Sequence, residues 1–280
     1  MIIDDEIKDT IKQLLSMFSS WPRGESHHLL GQNLINGALI YGPPGTGKTH
    51  LCRAISKESN KAMLVIDTAM VISKYAGDSE KYIKAAFTLS AKLHPCILFI
   101  DEVDSLFFRR SSDDKSWQRT SLTQFLQEMD GLSANKDAPF VIGATNRPSD
   151  LDEAFLRRLP HKVFITLPTL EERKKILRIF LTNEDLSPLV SIDALAQETH
   201  GYSGSDLRSL CSQAALVWAT EQSSKRLGSS QSVALAPLLL TVNHFEKALN
   251  RIMPSVSSKS MEDIERFSER FKQHITPPHL

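Results

Sequence analysis

The sequence has few cysteines and no excess of charge of either sign. Only three of its 280 residues are cysteine, and Cys52, Cys96 and Cys211 lack the paired spacing of a zinc site. This sparse, odd count is typical of a reducing compartment and excludes a disulfide framework. Basic and acidic residues number 33 each, which argues against a generally basic nucleic-acid-binding protein and an acidic tail. We therefore expect no nucleic-acid partner.

Aromatic residues and long apolar runs are also scarce. Aromatic side chains make up 7% of the chain, too few for an aromatic-rich β protein. No run reaches the roughly 18 to 20 apolar residues that a membrane-spanning helix needs. The richest window, Val233 to Val242, is interrupted by Pro237, and the opening MIIDDEIK has acids where a signal peptide needs bases. We expect an intracellular globular chain with no membrane segment.

Short apolar runs alternate with helical patterns as far as Leu167. The runs predict five strands, at 37–41, 62–66, 96–100, 140–144 and 162–167. Apolar residues at helical spacing predict helices at 7–18, 48–59, 79–92 and 116–129. Because strands alternate with helices, we expect a parallel sheet covered on both faces.

After Pro168 the pattern changes to successive helices with no strand between them. We therefore predict two domains, a large α/β domain at 1–167 and a helical domain at 168–280 that includes a C-terminal helix. The stretch 222–232 is rich in Ser, Gly and polar residues and predicts a mobile linker inside the helical domain.

A phosphate-binding motif follows the first predicted strand. The sequence matches GxxxxGK[ST] over Gly42, Pro43, Pro44, Gly45, Thr46, Gly47, Lys48 and Thr49. A Gly-rich loop that opens a helix lets backbone N–H groups converge on phosphate oxygens. Lys48 is placed to contact the β- and γ-phosphates, and the Thr49 hydroxyl is placed to bind Mg²⁺. These residues predict a phosphate-bearing ligand bound together with Mg²⁺.

Two acidic residues, Asp101 and Glu102, directly follow the apolar strand CILFI. Open α/β sheets bind ligands at the carboxyl ends of their strands, so both should lie near the phosphate loop. We predict that Asp101 holds Mg²⁺ and that Glu102 is the base that polarises the attacking water. Alone, the pair would read as a structural helix cap, but the phosphate loop beside it favours catalysis.

With these motifs in hand, the chain resembles the AAA subfamily of the AAA+ ATPases. The resemblance is to the group that contains the mitochondrial outer-membrane extracting ATPase, katanin, spastin and the ESCRT-disassembling ATPase. It rests on YGPPGTGKT, FIDEVDSLFFRR, IGATNRPSDLDEAFLRRLP and GYSGSDLRSLC, in that order. It implies a P-loop NTPase parallel sheet followed by a small all-helical lid domain. It also implies ATP hydrolysis by homo-oligomers, commonly hexamers, that thread a substrate polypeptide through a central pore.

Further site residues come from this resemblance. Asn146 matches the residue that helps to position the lytic water, although an Asn at a strand exit is also a common structural feature. Arg157 and Arg158 match paired arginine fingers that reach a neighbouring subunit's γ-phosphate, although two adjacent arginines also suit a solvated helix end. We infer a hexamer because neither arginine has an evident use in its own chain. Gly204, Ser205 and Asp206 match the start of the lid helix that closes over the adenine.

The resemblance also places two pore loops. Lys74, Tyr75 and Ala76 match the first, in which the aromatic residue would intercalate between substrate side chains without reading their sequence. Ala76 is smaller than the residue usually found there, which bears on grip strength. The stretch 109–119 lies where a second pore loop is expected and suits a solvated loop equally well.

Three interpretations follow. The first is a motor that extracts, unfolds or remodels proteins. The second is a nucleotide-dependent scaffold with little turnover. Its main support is that the group's adenine-pocket segment is either partly replaced by Ile2 and Ile3 or cut off, and the presence of every expected catalytic residue argues against it. The third is microtubule severing, which needs a basic pore for acidic tubulin tails, and here Asp113 and Asp114 oppose the bases around them. The motif FLRRLP is more similar to the mitochondrial extracting members, so the expected location is the mitochondrial outer membrane surface or the cytoplasm.

Overall fold

The structure, a computed structural model, describes residues 7–13, 37–71, 78–108, 116–132, 137–227 and 238–272. Its contacts divide the chain into two compact units. The sheet unit comprises Asp4–Gly42, Lys48–Ile165 and Met261–Leu280, and the helical unit comprises Met1–Ile3, Pro43–Gly47 and Thr166–Ser260.

The sheet unit is built on five parallel strands. They are β1 (Gly37–Tyr41), β2 (Ala62–Ile66), β3 (Cys96–Ile100), β4 (Phe140–Thr145) and β5 (His161–Phe164). Their order in the sheet is β2-β3-β4-β1-β5. Every residue of β1, β3 and β4 is buried, as expected for central strands covered on both faces. The predicted parallel α/β sheet is therefore confirmed.

The fifth strand differs from its prediction of 162–167. The amide of Ile165 still donates to the Tyr41 carbonyl (2.8 Å), but β1 ends there. At the next residue, Gly42, a Cβ would lie 2.1 Å from the Ile165 carbonyl oxygen, so the chain passes very close to β5 as it leaves the sheet. In the described parts of the chain, the pairing of β1 with β5 ends at Tyr41 and Phe164.

Helices pack on the sheet as the apolar spacing predicts. Those of the sheet unit are α1 (7–13), α2 (Lys48–Glu58), α3 (Thr68–Val71), α4 (Asp78–Lys92), α5 (Ser116–Gly131), α6 (Glu153–Arg158) and α11 (Ser258–Lys272), whose first residues belong to the helical unit. The core contains a group of stacked and tilted rings from Phe107, Phe125 and Phe155, with centroids 4.7–5.2 Å apart. The six-residue α6 was not predicted, since it is too short to show a helical period.

The C-terminal helix α11 packs in the sheet unit, whereas the sequence analysis assigned it to the helical domain. Ile264 and Phe267 are buried in the same core as the central strands. The Phe267 ring also meets Tyr41 edge-on, with centroids 5.1 Å apart. The physical reason for the difference is that the apolar face of this helix is covered by residues more than a hundred positions earlier in the chain, which local spacing does not reveal.

The helical unit contains α7 (Leu170–Phe180), α8 (Ile192–Glu198), α9 (Gly204–Leu227) and α10 (Val242–Leu249). Its core includes Leu177, Leu210 and Phe245. The prediction of no strand after Pro168 is wrong, because β6 (Asp185–Leu186) pairs in parallel with β7 (Leu239–Leu240). In the chain as described, none of the helices is long and apolar enough to cross a membrane.

The predicted linker at 222–232 is wrong at its start. Helix α9 continues through Gln222 to Leu227, because the Gln, Lys, Arg and Leu of this stretch are good helix formers. The remainder of that stretch, 228–232, lies outside the described residues, as does the predicted continuation of α1 over 14–18.

Candidate functional site

The phosphate-loop motif lies between β1 and α2, as predicted. Gly45 has a φ of 74° and Gly47 a φ of 89°, conformations that side-chain-bearing residues rarely adopt. A Cβ on Gly45 would also lie 2.4 Å from the Ser203 hydroxyl oxygen. The Thr46 hydroxyl donates to the Pro43 carbonyl (2.9 Å), which closes the loop on itself. The glycines are thus required by backbone shape and by close packing.

Within the helical unit, the start of α9 contacts this loop. The Ser205 amide donates a 3.1 Å hydrogen bond to the Gly45 carbonyl, and a Cβ on Gly204 would lie 3.4 Å from the same oxygen. Two of the predicted lid residues, Gly204 and Ser205, are therefore adjacent to the phosphate loop.

Asp206, the third residue that the resemblance matches to the lid helix, organises this start of α9. One carboxylate oxygen accepts hydrogen bonds from the Ser203 amide and hydroxyl, both at 2.9 Å, and from the Ser255 hydroxyl at 3.0 Å. Asp206 is buried, so these donors offset the loss of its hydration. The run Ser-Gly-Ser-Asp indicates a helix cap, but nothing local in the sequence points to Ser255.

Lys48 is buried at the first position of α2, with 7% of its surface exposed. Its ammonium group donates to the Gly42 carbonyl at 2.9 Å. Burial lowers the pKa of Lys48 to about 8, and the carboxylates of Asp101 and Asp104 act in the opposite direction. A lysine in this setting gains favourable charge interactions when a phosphate arrives.

Thr49 and Asp101 meet at the metal position that the sequence predicts. The Thr49 hydroxyl donates a 2.5 Å hydrogen bond to an Asp101 carboxylate oxygen, although 52 residues separate them. Mg²⁺ prefers oxygen ligands and usually keeps one or two protein ligands together with waters and substrate phosphates. This oxygen pair beside a phosphate-loop lysine fits such an ion. Over the parts of the chain that the structure describes, no three His, Cys, Asp or Glu side chains cluster as a metal cage.

Glu102 lies next to this pair in a left-handed conformation, with φ 49° and ψ 47°. Such a conformation is unusual for a residue with a side chain and is found often at functional sites. The backbone amide of Glu102 donates to the Asp101 carboxylate at 3.0 Å, while its side chain is exposed and caps nothing. The predicted base is therefore at the strand end with an exposed carboxylate.

The end of β4 joins the same group through residues that the sequence analysis missed. The Thr145 hydroxyl donates to an Asp104 carboxylate oxygen at 2.6 Å and accepts from the Arg147 amide at 2.9 Å. Asn146 lies between Thr145 and Arg147 in the sequence and is half-buried. Its side chain has no hydrogen bond to any residue that the structure describes. The acidic run Asp-Glu-Val-Asp was a signal for Asp104, whereas Thr145 had none beyond its strand-end position.

Helix α6 carries the two predicted arginine fingers, and they have different surroundings. Arg158 forms a bidentate ion pair with Asp130 of α5, with contacts of 2.9 and 2.8 Å that lower the pKa of the carboxyl. Arg157 is 75% exposed at its side chain, and its ion pair with Glu153 is long, at 3.9 Å. The inference that neither arginine has a partner in its own chain is therefore wrong for Arg158. The carboxylate that pairs with it is 28 residues away.

Most of the predicted pore residues lie outside the part of the chain that the structure describes. Lys74, Tyr75 and Ala76 lie outside the described residues, and so do 109–115 of the second predicted pore loop. The end of that stretch is helical, because α5 begins at Ser116.

Comparison with known proteins agrees with this arrangement. Residues 38–167 match the ATPase family associated with various cellular activities (AAA), and residues 190–231 match the AAA+ lid domain. Spastin from Anopheles gambiae is 41% identical over 239 residues, which are 84% of this chain and 28% of that protein. Spastin from Dictyostelium discoideum is 39% identical over 84% of this chain and 36% of its own length.

A third relative, the spastin homolog of Caenorhabditis elegans, is 38% identical over 85% of this chain and 47% of its own length. The chain thus spans less than half the length of these three relatives. The phosphate loop, the acidic strand end and the arginine-bearing helix all lie within the matched segments. The chain belongs to the AAA ATPase family.

Proposed function

We propose that this chain is an ATP-hydrolysing motor that remodels, extracts or unfolds protein substrates by threading them through a hexameric pore. The observation that carries the proposal is the contact between the Thr49 hydroxyl and the Asp101 carboxylate at 2.5 Å, beside the buried Lys48. This is the oxygen and ammonium chemistry that Mg²⁺-bound ATP requires. Membership of the AAA family supports it.

The chain's own residues then have separate roles in hydrolysis. Backbone N–H groups of the phosphate loop and the Lys48 ammonium hold the phosphates, and Thr49 and Asp101 hold the metal ion. When bound, Mg²⁺ would be held by Thr49 and Asp101 and would neutralise negative charge on the phosphates. The exposed Glu102 carboxylate accepts a proton from the attacking water, and the Asn146 amide orients that water.

The arginines act between subunits in this proposal. Arg157 is solvent-exposed at the surface of α6 and is available to a γ-phosphate of a neighbouring copy. The proposed hexamer, the polypeptide substrate and the contact of Lys74, Tyr75 and Ala76 with that substrate come from the family resemblance. Gly204 and Ser205 are proposed to close over the adenine, since they are adjacent to the phosphate loop.

Microtubule severing is a second candidate for the same motor. It is favoured by the relatives named spastin, at 38–41% identity, since the resemblance groups spastin with severing members. Those relatives lend no support to the mitochondrial outer membrane surface, which the wording FLRRLP had favoured. Severing requires the pore to engage acidic tubulin tails, so added microtubules should stimulate the ATPase and be cut.

The proposal is tested by ATP hydrolysis at increasing protein concentration, with Glu102→Gln as the control. We expect the rate per subunit to rise with concentration, because each site needs an arginine from a neighbour, and to fall by at least about 100-fold in Glu102→Gln. The variant should bind ATP as well as the native chain. A flat, negligible rate in both proteins, with ATP bound, would instead support the scaffold interpretation.

A further inference from the structure

The helix that carries both arginines is held at its ends by other parts of the chain. At six residues, α6 is far too short to be stable alone, so its position depends on its contacts. At the N-terminal end, the buried Asp152 carboxylate accepts a 2.8 Å hydrogen bond from the Ala154 amide. This contact fixes the first turn and leaves the last carbonyls, which flank the arginines, to be satisfied otherwise.

Lys162 of β5 meets those carbonyls. Its ammonium group donates to the Leu156 carbonyl at 3.2 Å and to the Leu159 carbonyl at 3.1 Å. These two residues stand immediately before and after Arg157 and Arg158 in the chain. A cation at a helix C-terminus is favourable both as a hydrogen-bond donor and through the helix dipole.

The surroundings of Lys162 are unusual for a lysine. Among the described residues it makes no ion pair with a carboxylate, and it lies half-buried with its ammonium group 4.5 Å from the centroid of the Phe271 ring. Phe271 belongs to α11 and packs on Phe267, with centroids 4.8 Å apart. Burying an ammonium group without a counter-ion is unfavourable, and here the two carbonyl hydrogen bonds and the aromatic ring offset part of that cost.

We propose that Lys162 is a positioning residue that fixes the end of α6, and with it Arg157 and Arg158, for action on a neighbouring subunit's nucleotide. Phe271 covers the lysine and keeps its hydrogen bonds out of water. This inference rests on the proposed function, because it needs a reaction completed by a second copy of the chain. It assigns no contact between Lys162 and ATP.

The proposal is tested by mixing variants that are defective in different parts of the site. Lys162→Met keeps its own Glu102 but would present misplaced arginines, while Glu102→Gln presents native arginines but cannot hydrolyse. We expect Lys162→Met alone to lose about 10- to 100-fold in rate, the scale that a misplacement near 1 Å produces. An equimolar mixture should recover up to about a quarter of the native rate, because statistically about that fraction of sites combine both intact halves.

Matched controls separate positioning from misfolding. Lys162→Arg retains a cation and donors and should keep most of the activity, whereas Phe271→Leu keeps the lysine, loses the ring and should fall between native and Lys162→Met. A mixture of Lys162→Met with Arg157→Ala should not recover, since both supply defective arginines. These variants keep the test valid if Lys162→Met fails to fold.

Three results would overturn the inference. One is native activity in Lys162→Met, and another is a loss that Glu102→Gln does not restore in the folded mixture, which would locate the defect in the variant's own site. The third, no hydrolysis by the native chain at any concentration, would reject the proposed function first and the inference with it.

Discussion

Two lysines of the sheet unit, Lys48 and Lys162, have the same lowered pKa in different surroundings. Burial lowers the pKa of each to about 8. Around Lys48, the carboxylates of Asp101 and Asp104 oppose that effect, and the residue begins a helix after a Gly-rich loop. Around Lys162, backbone carbonyls and an aromatic ring are the neighbours. Burial of a lysine therefore does not by itself identify a ligand site; the charges and loops around it do.

The largest expected effect is on ATP affinity, which should distinguish the role of Lys48 from that of Lys162. Lys48→Met removes the cation that would contact the phosphates, so we expect ATP affinity to fall by about 100-fold or more. Lys162→Met should leave ATP affinity within about twofold of native, because its side chain donates to carbonyls of its own chain. Titration of each protein with a fluorescent ATP analogue and Mg²⁺ measures both affinities.

Thermal unfolding of the same samples is the control for that experiment. A folded Lys162→Met protein that loses affinity as severely as Lys48→Met would remove the distinction drawn between the two lysines. Equal, undiminished affinity in both would contradict the role of the phosphate loop itself.

The phosphate side of the site was predictable because its geometry is encoded locally. A strand, a Gly-rich loop and a helix follow one another from Gly37 to Glu58, and the acidic pair directly follows β3. The rule that ligands bind at the carboxyl ends of parallel strands then brings Asp101 to Thr49 without further information. The bounds of β1, β2 and β3 follow from the same apolar runs, whereas the order of the strands in the sheet does not.

The arginine side was predictable only as residues and not as geometry. Asp130 is 28 residues from Arg158, and Arg270, which pairs with Glu153, is 117 residues from it. Sequence periodicity carries no record of such pairings, and a helix of one and a half turns shows no period. For the same reason α11 was assigned to the wrong unit and the two-residue strands β6 and β7 were missed.

A smaller effect is expected on the free energy of unfolding, which should distinguish Arg158 from Arg157. Arg158→Ala breaks a bidentate pair with Asp130, so we expect the free energy of unfolding to fall by about 1 kcal/mol, the scale of a well-formed but partly exposed ion pair. Arg157→Ala should leave it unchanged within about 0.5 kcal/mol, because its contact with Glu153 is long and exposed. Urea denaturation measures both, with Asp130→Asn as the matched partner variant.

A double variant tests whether the ion pair between Arg158 and Asp130 accounts for this loss of stability. Arg158→Ala combined with Asp130→Asn should be little less stable than either single variant, because the second change removes a partner already lost. Additive losses would mean that the two side chains act separately, and Arg158 would then be as free as Arg157.

The smallest effect concerns the pH dependence of stability at Lys162. Its pKa is about 8 in the folded protein and near the ordinary value of 10.5 once unfolded. Between these values the unfolded chain binds the proton more tightly, so the lysine's contribution to the free energy of unfolding rises with pH through this window.

Methionine at position 162 does not titrate. We therefore expect the native chain to gain about 1 kcal/mol relative to Lys162→Met between pH 7.5 and 10, since partial exposure reduces the full effect. Urea denaturation at each pH measures this difference. A difference that stays constant would mean that the ammonium group is as well solvated folded as unfolded, and Phe271 would then not be covering it.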